Sequence, residues 1–471
     1  MYKTLLFFIV LILNFSALKA NDKIKFQLKE HQKYAGIFSG DINQNSSVHL
    51  LVYKDKDADT FGIKPFFIDE NDKITAFEDI SFEEKPNVAS FHYTKNTHTL
   101  TILAKVKDEQ LKTIDLNTQT RSVKISDSDF KDVYLKVRQP NKSILVIRED
   151  DSRKITLRTI KNSEASKEVE YNFEDMHQEA FDKIFSQKPE IVNQNEYVKN
   201  GSIKKSKLYI VDNKLIADYT SEDEYISIEI DPDNYKDPKV QTTAIDGFEK
   251  VKDVNSYVFD DKFYLFINNK EDLKMQSYDR ISGELMDRKS MTENLNELVS
   301  ASGIEDFIKQ SKKNRNKVTG TINPTKKNNL LVTLDYVDKN NYNYHHDWWF
   351  HHWMMQQHMQ MMQQQMIQQQ MNNMNSFGPN ADKYNTSASF EAIYDEDTSI
   401  QFVLKPDFQI SGELEEAKFE ELDKDFYIDK FNDRKRLKHQ SIAFTTTSVR
   451  YIFYSKDTDS FHVETEPYQR W

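Results

Sequence analysis

Residues 339–384 read KNNYNYHHDWWFHHWMMQQHMQMMQQQMIQQQMNNMNSFGPNADKY, and five of the twelve His, three of the four Trp and eight of the thirteen Met of the chain fall within residues 345–374. Thioether sulfur is polarizable and carries no proton to lose, so together with imidazole it suits soft or borderline metals, Cu(I) above all. On a helix, His351, Met355, His358, Met359, Met362 and Met366 would share one face at three- and four-residue spacing. His345, His346 and His352 would then be the ligands for Cu(II) or Ni(II). A second reading of the same text is compositional: a low-complexity Gln/Met/Asn segment with no ligand. Trp348, Trp349, Phe350 and Trp353 could also touch a membrane surface or a partner, because exposed aromatic patches mark contacts.

Carboxylates and amides offer a further metal chemistry. Asp41, Asn43 and Asn45 alternate as calcium ligands do, and so do Asp55, Asp57 and Asp59. The first row resembles the Asp/Asn-rich loops of integrin-type propeller repeats. It departs from them at Ser46, where the turn Gly belongs, and at His49, where a carboxylate belongs. The second row has Thr60 at the turn position and Phe66 at the twelfth, so the expectation for both is a plain β-turn.

Other catalytic signatures are missing. The ten Gly are never separated by a single residue, which excludes the usual dinucleotide-binding and phosphate-cradling loops. Gly36 and Gly40 have nucleophile-elbow spacing, but Phe38 stands in the place of the Ser. No His precedes a Glu, so the helical zinc-protease motif is absent as well. A glycosidase pair would leave no local trace among 76 acidic residues.

These residues need a scaffold, and composition bounds it. The chain has 471 residues, 38% of them hydrophobic, with 31 Phe and 23 Tyr, which is enough to build an ordered core. Residues 1–20 carry Lys3, an apolar run from Leu5 to Leu13 and a small-residue end at Ala20, the layout of a secretory leader. No other stretch has the apolar length of a spanning helix. The mature chain is therefore expected to be soluble and exported, periplasmic or extracellular. Without the leader, 62 basic residues face 76 acidic ones, a net charge of −14 that argues against nucleic acid as a partner. With no Cys there is no disulfide and no lipid-bearing Cys.

From about residue 33 the chain is a succession of short apolar-polar alternations bounded by Asn, Asp, Lys and Ser, about 28 strands in all. The passages from His98 to Arg121, Lys262 to Met286 and Ser143 to Lys167 share a layout of strand, charged turn, strand and a hydroxyl-bearing turn. The first and last of these start 45 residues apart. That layout resembles the inner strands of a β-propeller blade, without any named blade motif. Helical spacing appears in residues 173–187 and 292–312, read as connections on the rim. Leu330–Tyr336 is a strand whose expected partner is Ser389–Tyr394, which makes residues 339–386 an insertion in one hairpin.

The resemblance implies an all-β, β-propeller-like fold of about seven blades. Residues 1–20 form the leader, and residues 21–338 with 387–471 form the β domain. The expected function is a non-enzymatic binding or scaffolding module of a cell envelope, its partner an envelope protein or polysaccharide, its oligomeric state open. The alternative is an extracytoplasmic copper-binding protein using the His/Met segment. The third is a hydrolase with its site in the propeller channel.

Overall fold

The computed structural model describes residues 24–468 apart from 44, 107–109, 130, 150, 195–200, 246–250, 270–271, 296–300, 339–398, 420–423, 433, 435–436 and 446. Among them thirty strands fall into seven sheets that follow one another along the chain. A short strand β1 (Ile24–Phe26) comes first among the described residues. Sheet 1 holds β2 (Gln32–Asn43), β3 (Ser46–Asp55), β4 (Thr60–Ile68) and β5 (Ile74–Ala76), with β6 (Ile80–Phe82) also pairing with β4. Sheet 2 is β7 (Asn87–Thr94), β8 (Thr99–Val106), β9 (Gln110–Asn117) and β10 (Val123–Asp129). Sheet 3 is β11 (Val133–Gln139), β12 (Lys142–Ile147), β13 (Lys154–Ile160) and β14 (Ser166–Asn172).

Helix α1 (Gln178–Ile184) leads to sheet 4, which runs β15 (Glu190–Val192), β16 (Ser206–Val211), β17 (Lys214–Thr220), β18 (Glu224–Ile230) and β19 (Lys239–Ala244). Sheet 5 contains β20 (Asp253–Phe259), β21 (Lys262–Asn268), β22 (Leu273–Asp279) and β23 (Leu285–Ser290). Helices α2 (Met291–Leu295) and α3 (Ala301–Ser311) follow. Sheet 6 contains β24 (Asn316–Pro324), β25 (Leu330–Asp338), β26 (Ile400–Leu404) and β27 (Ile410–Ser411). Helix α4 (Lys424–Asn432) precedes sheet 7, made of β28 (Leu437–Phe444), β29 (Ser448–Ser455) and β30 (Ser460–Pro467). The outer position of sheet 7 is filled by β1, in the register Ile24 to Val463 and Phe26 to Phe461. Strand β2 of sheet 1 packs against β28 of sheet 7, so first and last sheets are neighbours. The protein is a seven-bladed β-propeller.

The chain has few Gly, and the hairpin turns are made another way. Nine Asp and Asn residues, among them Asp59, Asp212, Asn213, Asp260 and Asp459, take positive φ, against one described Gly. Their short polar side chains tolerate the left-handed region that the turns require. Gly is kept for close approach: a Cβ on Gly320 would fall 2.2 Å from the Phe266 ring, and one on Gly40 would fall 2.3 Å from Phe91.

The core lies between the sheets, and its character alternates. Junctions 1/2, 3/4 and 5/6 are broad and apolar: Phe38, Val48 and Leu50 against Val88, Phe91 and Ile102; Ile144 and Leu157 against Leu208 and Ile228; Tyr264 and Phe266 against Val332 and Phe402. Junctions 2/3, 4/5 and 7/1 have smaller apolar clusters, such as Leu103 with Leu145 or Leu51 with Ile452, and carry buried polar networks. Seven is odd, so the alternation breaks once. At sheet 7 the face away from sheet 1 is covered by α4, whose Tyr427, Ile428 and Phe431 pack on Val449, Tyr451 and Phe453.

The expected repeats are present, but their copies are the second and third strands of sheets 2, 3 and 5 rather than the innermost pair. The expected helices appear as α1, α2 and α3, and α1 also buries Phe181 and Ile184 completely in junction 3/4. One pairing differs from expectation. Leu330–Leu334 of β25 pairs with Ile400–Leu404 on one side and with β24 on the other, while residues 389–394 lie outside the described residues.

Candidate functional site

A propeller presents its first strands to the axis, and here one axial position is already taken. Strand β15 lies on the inner side of β16, parallel to it, with Glu190 beside Lys207 and Val192 beside Tyr209. Val192 packs into the clusters of sheets 4, 5 and 6. The chain then passes across to sheet 6, where Gly201 sits against Thr319 and Gly320, and Ser202 donates to a Glu190 carboxylate oxygen at 2.5 Å. The described parts of the connection from sheet 3 to sheet 4, β15 and residues 201–202, thus lie against β16, β20 and β24.

Against this segment lies a buried constellation that the sequence did not single out. The Lys207 ammonium donates to the Ser256 carbonyl, with the Asn255 side-chain oxygen at 3.3 Å and Ser256 Oγ at 3.4 Å. Ser256 Oγ donates to Asp218 at 2.8 Å, and the second Asp218 oxygen accepts the Lys207 backbone N–H at 3.2 Å. Burial pushes the Asp218 carboxyl up to about 6, against the pull of Lys207, and burial also lowers the Lys207 ammonium. Asp253, 2% exposed, has no well-aligned hydrogen bond to either oxygen, and Lys252 Nζ stands 3.6 Å away. Burial raises its carboxyl too. A cavity of about 50 Å³ opens among Lys204, Lys207, Thr220, Asp253, Asn255 and Lys317. A few waters fit such a volume; a substrate chain does not.

A hydroxyl between an ammonium and a carboxylate is the raw material of a nucleophile. Here Ser256 and Asp218 are fully buried and Lys207 is 2% exposed, so the constellation faces the neighbouring blade and not solvent. Its equivalents at the other polar junctions have the same character. At junction 7/1, His49 bridges Ser39 and Ser47 at 2.7 and 3.0 Å. Arg450 donates there to Ser47 Oγ, the Ile68 and Asp69 carbonyls and Asp72. Burial first, and the Arg450 charge second, hold the His49 imidazole down to about 3. At junction 2/3, His92 contacts Ser143 Oγ and the Lys161 carbonyl at 3.0 Å each, while Asp115 accepts from Thr101 and from Ser163. Burial lowers His92 to about 4. These networks tie blade to blade.

The candidate metal residues His345, His346, His351, His352, Met355, His358, Met359, Met362 and Met366 lie outside the described residues, as does the leader. The Asp55, Asp57 and Asp59 row is a turn, as expected, whereas in the other row Asp41 and Asn43 belong to strand β2 and only Asn45 stands at the turn. Asp55 accepts the N–H groups of Asp57 and Ala58 in the β3–β4 turn, and Asp59 pairs with Lys54 at 2.9 Å. Asp41 takes Arg138 of sheet 3, and Asn45 accepts from Thr447 at 3.1 Å. Lys207, Asp218 and Ser256 left no signal in sequence, because a polar residue in an alternating strand reads as solvent-facing; only the meeting of three strands buries all of them.

Neither a protein-family model nor a curated protein matches the chain. Solved structures do. The β-propeller domain of the Trilobed protease from Pyrococcus furiosus, described as having an open velcro topology, is 10% identical over 95% of this chain and 97% of its own, with a TM-score of 0.32. A structure from a study of two prolyl endopeptidases is 7% identical over 92% of this chain and 51% of its own, with a TM-score of 0.34. The WD40 domain of SCAP from fission yeast is 8% identical over 95% and 91%, with a TM-score of 0.26. At such identities the likeness is one of fold alone, and the seven sheets carry that assignment by themselves.

Proposed function

We propose that the protein is an exported propeller that serves a cell envelope as a binding or scaffolding platform and not as a catalyst. The observation that carries this reading is that β15 and residues 201–202 pack on the inner side of β16 and against β20 and β24, beside the buried Lys207–Ser256–Asp218 group, and leave a cavity of only about 50 Å³ there. Lys207, Ser256 and Asp218 are consumed in holding sheet 4 to sheet 5. Partner recognition then belongs to the exposed loops and outer strands, surfaces that a rigid scaffold presents. The leader, residues 1–20, supports an extracytoplasmic site of action for an envelope protein or polysaccharide partner. To test this, the mature protein is immobilised and exposed to fractionated envelope protein and to purified envelope polysaccharides, alongside a panel of peptidase and glycosidase substrates. Retention of an envelope component without turnover is expected. Turnover that is lost in Ser256→Ala, with the fold intact, would overturn the reading.

A second reading rests on the His/Met concentration in residues 345–374, which supports copper binding. A Cu(I) competition titration tests it, with the four changes Met355→Leu, Met359→Leu, Met362→Leu and Met366→Leu expected to abolish binding. Equal Cu(I) affinity in the intact protein and in a deletion of residues 340–385 would end it.

A further inference from the structure

Lys207 of β16 and Asn255 of β20 meet at junction 4/5 from positions 48 residues apart, with the Lys207 Nζ 3.3 Å from the Asn255 side-chain oxygen. Both side chains are buried. An amine held against a carboxamide away from water has the parts of an amide exchange, in which the amine takes the place of ammonia. Burial lowers the Lys207 ammonium, which favours the uncharged, nucleophilic amine. Its proton has a path, since Ser256 Oγ lies 3.4 Å from Nζ and donates to Asp218 at 2.8 Å. Burial holds the Asp218 carboxyl up at about 6, which readies it to take that proton. The Gly320 N–H donates to Asn255 Oδ1 at 3.4 Å, on the atom where negative charge develops during attack. The Ser202 carbonyl accepts from Asn255 Nδ2 at 2.7 Å, which turns the amide oxygen toward Lys207. The cavity of about 50 Å³ lined by Lys207, Asn255 and Ser256 has room for a departing ammonia, a molecule the size of a water.

We infer that Lys207 and Asn255 form an intramolecular amide bond that joins sheet 4 covalently to sheet 5. The Lys207 ammonium first gives one proton through Ser256 to the Asp218 carboxylate. The free amine then attacks Asn255 Cγ; the Nζ–Cγ bond forms and the Cγ–Nδ2 bond breaks. A second Nζ proton passes to Nδ2, which leaves as ammonia, and the third stays on the new amide. Nothing is oxidised or reduced, and Asp218 ends protonated. In the structure Nζ faces the amide oxygen and not the carbon, so attack waits on a side-chain rotation and the reaction is slow. The charged Lys207 and Asp218 are the state of the chain before it. In a chain without Cys this bond does what a disulfide would, closing a loop of 48 residues. The inference goes beyond the platform reading and is measured on the purified chain alone, so the two can fail separately.

Mass spectrometry reads the bond directly. The purified chain is incubated for several days, unfolded, digested and searched for a branched peptide joining Lys207 to Asn255, about 17 Da lighter than its two arms together. That peptide is expected to accumulate with time while the intact mass falls by the same step and the melting temperature rises. Lys207→Met and Asn255→Ala should each abolish it. Asp218→Asn keeps both reacting groups and should slow the linkage roughly a hundredfold in protein whose circular dichroism matches the wild type, a rate effect that a merely structural role would not produce. A wild type that yields no branched peptide after incubation would overturn the inference. So would a loss of ammonia that persists in Asn255→Ala without a branched peptide in the wild type, or an Asp218→Asn chain that links as fast as the wild type.

Discussion

Junction 5/6 and junction 4/5 share sheet 5, yet they hold it by different means. On one face Tyr264, Phe266 and Met275 meet Val318, Val332 and Phe402 in a broad, mainly apolar contact. On the other, the Lys207–Ser256–Asp218 network sits beside a smaller group around Val258 and Leu265. Apolar burial is strong and indifferent to direction. A buried hydrogen-bond network adds little net stability but fixes one arrangement, since any other leaves its groups unpaired. The alternation of the two kinds around the ring assigns adhesion to one set of junctions and angular placement to the other.

The largest effect should come from the apolar side. Phe266→Ala leaves a cavity over Gly320 and is expected to destabilise the protein by about 3–5 kcal/mol, with little dependence on pH. Urea unfolding at two pH values checks both halves of that statement. If the loss is under about 1 kcal/mol, junction 5/6 does not have the role assigned to it.

At junction 4/5, Lys207→Met strands the Asp218 charge in the interior and should cost about 3 kcal/mol. The pair Lys207→Met with Asp218→Asn should recover more than half of that, because the uncharged amide needs no counter-ion. A double variant as unstable as the single would show that Lys207 acts by packing and not by charge. Arg450→Met at junction 7/1 should fall in the same range, since it abandons the Ser47 hydroxyl, two carbonyls and Asp72.

The smallest and most diagnostic effect is one of pH, and its sign differs between polar junctions. His49 and His92 titrate near 6.5 when unfolded but at about 3 and about 4 when folded. Between those values the unfolded chain binds more protons, so stability falls as pH drops below 6.5, at about 1 kcal/mol per pH unit for each histidine. Asp218 runs the other way. Its folded carboxyl is raised from 3.8 to about 6, so between those values the folded state holds the extra proton and acidification strengthens junction 4/5. Melting temperature followed from pH 7 down to 4.5 should decline in the wild type. The decline should flatten in His49→Asn with His92→Asn and steepen in Asp218→Asn. Parallel curves for all three proteins would remove the distinction between the junctions.

The strands and their count were legible because the half-buried faces leave a period-two trace, as in Lys154–Ile160, and because Asp and Asn mark the turns. What escaped was whatever the ring itself creates. β1 is three residues long and acquires strand geometry only from β30. Lys207 and Asp218 look like the polar half of ordinary edge alternations until sheet 5 is placed beside them. β15 runs parallel to β16 inside the circle, a position that no local pattern encodes. The repeats were recognisable as strand pairs, but assigning them to the middle of each blade needed the partner strands on both sides.

The register of β1 also sets an order of events. Phe26 stacks on Phe461 at 5.2 Å between ring centres and meets Phe66 edge-on at 4.8 Å, so β1 can find its seat only after β30, far along the chain, has formed. Contacts so distant along the chain form slowly, and each nascent molecule must pass through a period when sheet 7 lacks its outer strand and β30 offers an open edge. The vulnerable species for this protein is therefore one in which β30 has formed and still lacks β1. The yield in the cell should depend on how long that state lasts as much as on the strength of any junction.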